Sequence, residues 1–112
     1  MMIVSNEVAE WLKSNGFNEQ CGHCYVFGKL TKMKMPLDNG NCIYTVAPSV
    51  LQPVPFLEGK GCRFNIEYND ASDIYEGIVY YEGEQVKGMA IGETSEECVN
   101  GLLELIYEKV HG

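Results

Sequence analysis

The sequence has few positive charges. Its 112 residues include 8 lysines and arginines against 16 aspartates and glutamates, so the formal net charge is −8. Between residues 67 and 97, nine carboxylates stand against one cation, Lys87. A surface of this sign repels phosphate backbones and anionic lipid head groups. The composition therefore predicts no nucleic acid and no membrane among the partners.

Long apolar runs are also missing. No stretch approaches the roughly 20 residues that a membrane-spanning helix needs. The first residues, MMIVSNEVAEW, have no basic region followed by a long apolar run and so do not predict a signal peptide. Five cysteines would leave one unpaired in a disulfide framework. We expect a single cytoplasmic domain over residues 1–112, with reduced thiols.

Helix signals lie at the two ends of the chain. Ser5 can cap a helix over about residues 5–15, and Gly16 suits the position that ends it. Thr94 opens a capping box, and apolar residues follow it at helical spacing. A second helix is therefore expected over about residues 95–110.

Strand signals fill the middle of the chain. The expected strands cover residues 25–34, 42–47, 62–69, 74–81 and 85–91. Asn39-Gly40 favours a two-residue hairpin turn between the first two, and three prolines predict an extended loop over residues 47–61. The order predicts an α+β fold: a helix, an antiparallel sheet of four to five strands and a helix, with both helices on one face of the sheet.

The tetrapeptide Cys21-Gly22-His23-Cys24 resembles the reaction centre of thiol–disulfide oxidoreductases of the protein disulfide isomerase type. In the thioredoxin-like arrangement the motif follows a buried strand and opens a helix, whose N-terminus lowers the pKa of the first thiol. Here a helix is expected before the motif and a strand after it. The context therefore predicts a loop with thiols of near-normal acidity, and no redox centre.

Zinc binding is the second chemistry that these cysteines suggest. Cys21 and Cys24 have the spacing of half a zinc site. Cys42 and Cys62 could complete four ligands if their strands start near the loop, although both are in phase with apolar neighbours, which favours core positions. A thiol or zinc protein centred on the four cysteines is therefore the alternative to a protein without cofactor.

Two resemblances concern the order of the elements. A helix, antiparallel strands and a closing helix are also the order of the double-stranded RNA-binding domain, which presents lysines at the start of its last helix. This sequence has Glu93, Glu96 and Glu97 there, so that function does not carry over. The ending GMAIGETSEECVNGLLELIYEKV is similar to the closing strand and helix of small phage-type accessory proteins with an α-β-α sandwich. That resemblance implies an accessory protein of unknown activity.

No catalytic pattern emerges from the sequence, so the predicted function is binding of another protein or of a second copy, as a homodimer. Clustered exposed apolar and aromatic side chains mark such contact sites. The predicted contact residues lie in the proline-rich segment and in the strand over residues 74–81: Val54, Phe56, Leu57, Tyr75, Val79 and Tyr81. The sequence leaves open whether the proline-rich segment is an interface or a lid on the core.

Overall fold

The protein has the predicted α+β class, with its strands divided between two sheets. The computed structural model describes residues 1–40 and 43–112. The described helices are α1 (Asn6–Ser14), α2 (Val54–Gly59) and α3 (Ser95–His111). The described strands are β1 (Cys21–Val26), β2 (Lys29–Leu37), β3 (Tyr44–Val46), β4 (Cys62–Asn69), β5 (Ile74–Tyr81), β6 (Glu84–Gln85) and β7 (Ala90–Gly92).

Both sheets are antiparallel. The first has the order β2-β1-β3. In the second, β5 lies between β4 on one side and the short strands β6 and β7 on the other. The predicted single sheet with both helices on one face is thus replaced by two sheets that share the helices: α3 packs on β5 and β7, whereas α1 contacts β3 and α3.

Both predicted helix starts are confirmed. The Ser5 hydroxyl accepts a hydrogen bond from the Val8 amide at 3.3 Å, and α1 buries the only tryptophan, Trp11, on its inner face. The Thr94 hydroxyl accepts from the Glu97 amide at 3.1 Å, so it supplies a partner to an otherwise unpaired N–H of α3. None of the helices in the described residues is long and apolar enough to cross a membrane.

The first sheet is connected differently from the expectation. The residues predicted as one strand over 25–34 form a hairpin, because Phe27 and Gly28 both adopt positive φ, 51° and 77°, and turn the chain between Val26 and Lys29. This is the two-residue turn that matches the twist of paired strands. The predicted hairpin at Asn39-Gly40 is wrong, since β3 pairs with β1 and not with β2.

Instead of forming a hairpin turn, Asn39 makes hydrogen bonds through its side chain. Its side-chain amide donates to the Phe17 carbonyl at 2.8 Å, and its side-chain oxygen accepts from the Val46 amide at 2.9 Å. The side chain therefore ties the segment after α1 to β3. The start of the predicted returning strand, Cys42, lies outside the described residues.

The proline-rich segment contains α2, which corrects the predicted extended loop. Pro53 and Pro55 lie at the start of this helix, where a residue without an N–H costs little. Leu57 is buried in the core, and the ring of Phe56 packs edge to face on Phe17, with 5.3 Å between the ring centroids. The segment is thus a lid on the core.

Helix α3 approaches the second sheet very closely. A Cβ atom at Gly77 of β5 would lie 2.8 Å from Cys98 Sγ, and one at Gly92 of β7 would lie 2.6 Å from Glu97 Cβ. Only glycine leaves room for the helix at these two positions. The apolar face of α3, with Leu102 and its neighbours, covers one side of the second sheet.

Candidate functional site

The CGHC motif lies on β1, where its thiols are buried. Cys21 and Cys24 are 4% and 0% exposed. Burial, and then the charge of Glu19, raises the pKa of Cys21 to about 11, and burial raises the pKa of Cys24. The predicted loop position and near-normal acidity are therefore both wrong. A nucleophilic thiol needs a lowered pKa, so the geometry disfavours redox chemistry.

The other described cysteines are buried too. Cys62 opens β4, and burial, followed by the charge of Glu82, raises its pKa to about 11. The Cys98 thiol in α3 donates to the Ala90 carbonyl at 3.6 Å, and burial raises its pKa. Over residues 1–40 and 43–112, no three histidine, cysteine, aspartate or glutamate side chains form a group that could hold a metal ion. Cys42, the fourth suggested ligand, lies outside these residues.

The six predicted contact residues face the interior to different degrees. Val79 and Leu57 are 0% and 2% exposed and belong to the core, so they cannot contact a partner in this conformation. The other four are partly buried against the core: Val54, Phe56, Tyr75 and Tyr81. For the three residues on β5, Tyr75, Val79 and Tyr81, the reason is the alternation of the strand, which directs them to the side of Gly77, where α3 packs. The three on α2 lie over the core because that helix forms the lid.

The opposite side of the second sheet is covered by no described helix. In the register of β4 and β5, Arg63 pairs with Tyr80, Asn65 with Ile78, Glu67 with Glu76 and Asn69 with Ile74. We call this surface the open face; it consists of Arg63, Asn65, Glu67, Asn69, Ile74, Glu76, Ile78 and Tyr80, together with Met89 and Ile91 beside β5.

The open face combines apolar and charged groups. Ile74, Ile78 and Tyr80 are half-exposed and lie outside the core cluster, and Ile91 is 61% exposed. The guanidinium of Arg63 lies over the Tyr80 ring, 4.4 Å from its centroid. Exposed apolar side chains grouped on one surface are typical of contact sites.

A groove of about 480 Å³ crosses the open face and exposes two carboxylates. Glu67 and Glu76 lie directly opposite each other on β4 and β5 and line this groove. Like charges in such a cross-strand pair are destabilising. Glu76 Oε1 accepts a hydrogen bond from the side-chain amide of Asn69 (Nδ2) at 2.9 Å, but neither carboxylate forms a salt bridge with a described residue.

The outer edge of β4 completes the site. Strand β4 pairs with β5 over eight residues, and no described strand pairs with its other side. Its residues CRFNIEYN include neither lysine nor proline, and its register has no irregularity, so three common protections of an edge strand are missing there, although the strand carries the charged residues Arg63 and Glu67. Ile66 and Tyr68, 36% and 48% exposed, lie along it on the side toward α3.

The sequence contained one signal for the open face. Strand β5 is apolar on both alternating sets, so periodicity alone could not tell which set faces the helix. Gly77 could have decided it, because a glycine amid large residues marks the side where another element approaches closely. That side carries Tyr75, Val79 and Tyr81, which leaves Ile74, Ile78 and Tyr80 for the open face.

No protein-family model, no curated protein and no solved structure matches this chain. Its function therefore has to follow from its own surfaces.

Proposed function

We propose that the protein is a small, non-enzymatic binding module that engages a protein partner through the outer edge of β4 and the adjoining open face. The observation that carries this proposal is an eight-residue edge strand without lysine, proline or a register shift, beside a sheet face with half-exposed apolar side chains. An extended segment added at such an edge satisfies the free backbone N–H and C=O groups of the strand.

Affinity and specificity have separate sources in this binding mode. The backbone hydrogen bonds of strand addition supply affinity, whereas alternate side chains select the partner. On the open face the selecting groups are Arg63, Asn65 and Glu67, which alternate with Phe64 and Ile66 on the other side of the strand.

The alternative, a thiol or zinc protein centred on Cys21, Cys24, Cys42 and Cys62, gains less support. The three described thiols of this set are buried and their pKa values are raised, mainly by burial. Metal analysis of the purified protein before and after chelator treatment distinguishes the two functions. One equivalent of zinc whose removal unfolds the protein would favour the alternative.

Site-specific photo-crosslinking in the native host tests the binding function. A photoreactive phenylalanine analogue such as p-benzoylphenylalanine replaces Ile66 at the edge of β4. The matched control carries the same analogue in place of Met35, which is 73% exposed on the edge of β2. We expect a covalent protein adduct from position 66 and little from position 35. An absence of adducts at position 66, or equal adducts at both positions, would overturn the proposed function.

A further inference from the structure

We infer that the partner at the edge of β4 is a second copy of this chain, paired antiparallel about a two-fold axis that passes beside Asn65. This inference rests on the proposed function and names the partner. It follows from the sequence of the edge strand, which is complementary to itself when it is reversed. The resulting contact is isologous, so the same residues contribute from both copies.

The register places opposite charges together. With Asn65 on the axis, Arg63 of one copy lies opposite Glu67 of the other, and the same pair occurs twice in the dimer. All three side chains are exposed and lie on the open face, where cross-strand neighbours of an antiparallel pair meet. Each Glu67, which faces Glu76 within its own sheet, thereby gains a cation from the second copy.

Other registers lose this match. An antiparallel pair in which both strands use their free backbone groups can shift only in steps of two residues. One such shift places Arg63 opposite Asn65 of the second copy, and the shift in the other direction places it opposite Asn69. In both shifted pairings Glu67 loses its cation, so the charges specify the register centred on Asn65.

The side of β4 toward α3 is complementary as well. In the same register, Phe64 lies opposite Ile66 of the second copy and Cys62 lies opposite Tyr68. Ile66 and Tyr68 are 36% and 48% exposed in the monomer, so pairing covers apolar surface that the monomer leaves in water. Each copy uses its free β4 edge once, and the assembly therefore closes as a dimer.

Charge reversal tests both the partner and the register. Arg63→Glu places Glu opposite Glu67, and Glu67→Arg places Arg opposite Arg63, so both pairs in each homodimer change from attraction to repulsion. Sedimentation equilibrium of the purified chain over about 1 to 500 μM should show a dimer for the wild type and a dissociation constant weakened about tenfold or more for each variant. Lys34→Glu and Glu10→Arg, which change the net charge equally at exposed positions away from β4, should leave the dimer unchanged.

Mixing the two variants, or combining both substitutions in one chain, makes the test specific for the proposed register. In an equimolar mixture of Arg63→Glu and Glu67→Arg chains, both cross-strand pairs are attractive only in the heterodimer, which should therefore form. The doubly substituted chain, Arg63→Glu with Glu67→Arg, should also recover its homodimer. Loss of folding or of the cation–π contact with Tyr80 in a single variant cannot produce this recovery.

The outcomes separate the inference from the proposed function. A wild-type chain that remains monomeric, single variants that still dimerise, or a mixture that does not associate would overturn the inference. If the chain is monomeric while position 66 still forms an adduct with a different protein, the binding function stands and the second copy is excluded. If position 66 forms no adduct and the chain is monomeric, both proposals fail.

Discussion

The edges of the two sheets are built differently. Strand β2, at the edge of the first sheet, carries Lys29, Lys32 and Lys34, which are three of the 8 cations in the chain, and also Pro36. Its pairing with β1 is irregular after Lys32. Lysine, proline and irregular register are among the devices that stop an edge strand from recruiting another strand. Strand β4, at the edge of the second sheet, has none of the three.

The contrast teaches that exposure alone does not identify a binding edge. Both strands expose large apolar side chains, since Met35 on β2 is 73% exposed and Ile66 on β4 is 36% exposed. What differs is the chemistry around them: lysines, a proline and an irregular register accompany Met35 on β2 and are absent from β4. The proposed strand addition is therefore expected at β4 and not at β2.

The largest effect is expected in α3, which packs on β5 and β7 of the second sheet. Leu102 is fully buried on the face of α3 that covers β5, so Leu102→Ala leaves a cavity there and should lower the free energy of unfolding by about 2 to 5 kcal/mol. Urea denaturation measures the loss. Glu108→Ala, at an exposed position of the same helix, should stay within about 0.5 kcal/mol. A loss below that of the control would mean that α3 does not support the second sheet.

The buried thiols of the two sheets should be equally unreactive, although the edge strands of the sheets differ. Cys21 in the first sheet and Cys62 in the second both have a pKa raised from the usual value near 9 to about 11. At pH 8 the thiolate fraction is therefore about 100-fold lower than in free cysteine.

Iodoacetamide labelling of a Cys42→Ser chain, followed by mass spectrometry of peptides, should show slow modification at both sites. The rate should rise with pH until the pH passes about 11, where the thiols of both sheets are ionised. Fast modification of Cys21 alone at pH 8 would contradict this expectation and support the redox interpretation of the CGHC motif.

The lid over the core should contribute less than α3 does. Phe56 is half-buried against Phe17, so Phe56→Ala should cost about 2 to 3 kcal/mol, below the range for a fully buried ring. A thermal melt and sedimentation of the same variant separate stability from association. An unchanged melt combined with loss of the dimer would instead make the proline-rich segment the interface.

The smallest changes in monomer stability are expected for substitutions on the two edge strands, β4 and β2. Ile66→Lys on β4 and Met35→Lys on β2 place the same protecting residue on each sheet, and each should alter the unfolding free energy by no more than about 0.5 kcal/mol. Only Ile66→Lys should abolish the association, because β2 is protected already. Equal effects of the two variants on association would contradict the proposed difference in edge protection between β2 and β4.

Sequence reasoning identified the elements that local signals define. The capping hydroxyls of Ser5 and Thr94 and the alternation from Cys62 to Asn69 carry their structural meaning within a few residues, and the structure confirms them. Elements set by tertiary contacts were assigned less well. The turn at Phe27-Gly28 needs a phenylalanine at positive φ, which no propensity favours, and Asn39 forms side-chain bonds to two distant backbone groups where a hairpin was expected.

The candidate site could be predicted only in outline. The sequence predicted a single sheet with both helices on one face, which implied an uncovered face; the structure has two sheets, and the second has such a face. Which residues lie on the uncovered face depends on which alternate set of β5 side chains points away from α3. Six of the eight residues of β5 are apolar, so either set could have been the buried one. The free edge of β4 is a property of strand order, which the sequence of one chain does not specify.

The single tryptophan and the tyrosines report on different parts of the molecule. Trp11 lies on α1, which contacts β3 of the first sheet and also α3, while the strands of the second sheet contain four of the seven tyrosines: Tyr68, Tyr75, Tyr80 and Tyr81. Tryptophan fluorescence therefore follows the surroundings of α1, and tyrosine absorbance is weighted toward the second sheet. Melting curves recorded with both probes would coincide if the sheets unfold as one unit and would diverge if the second sheet opens first.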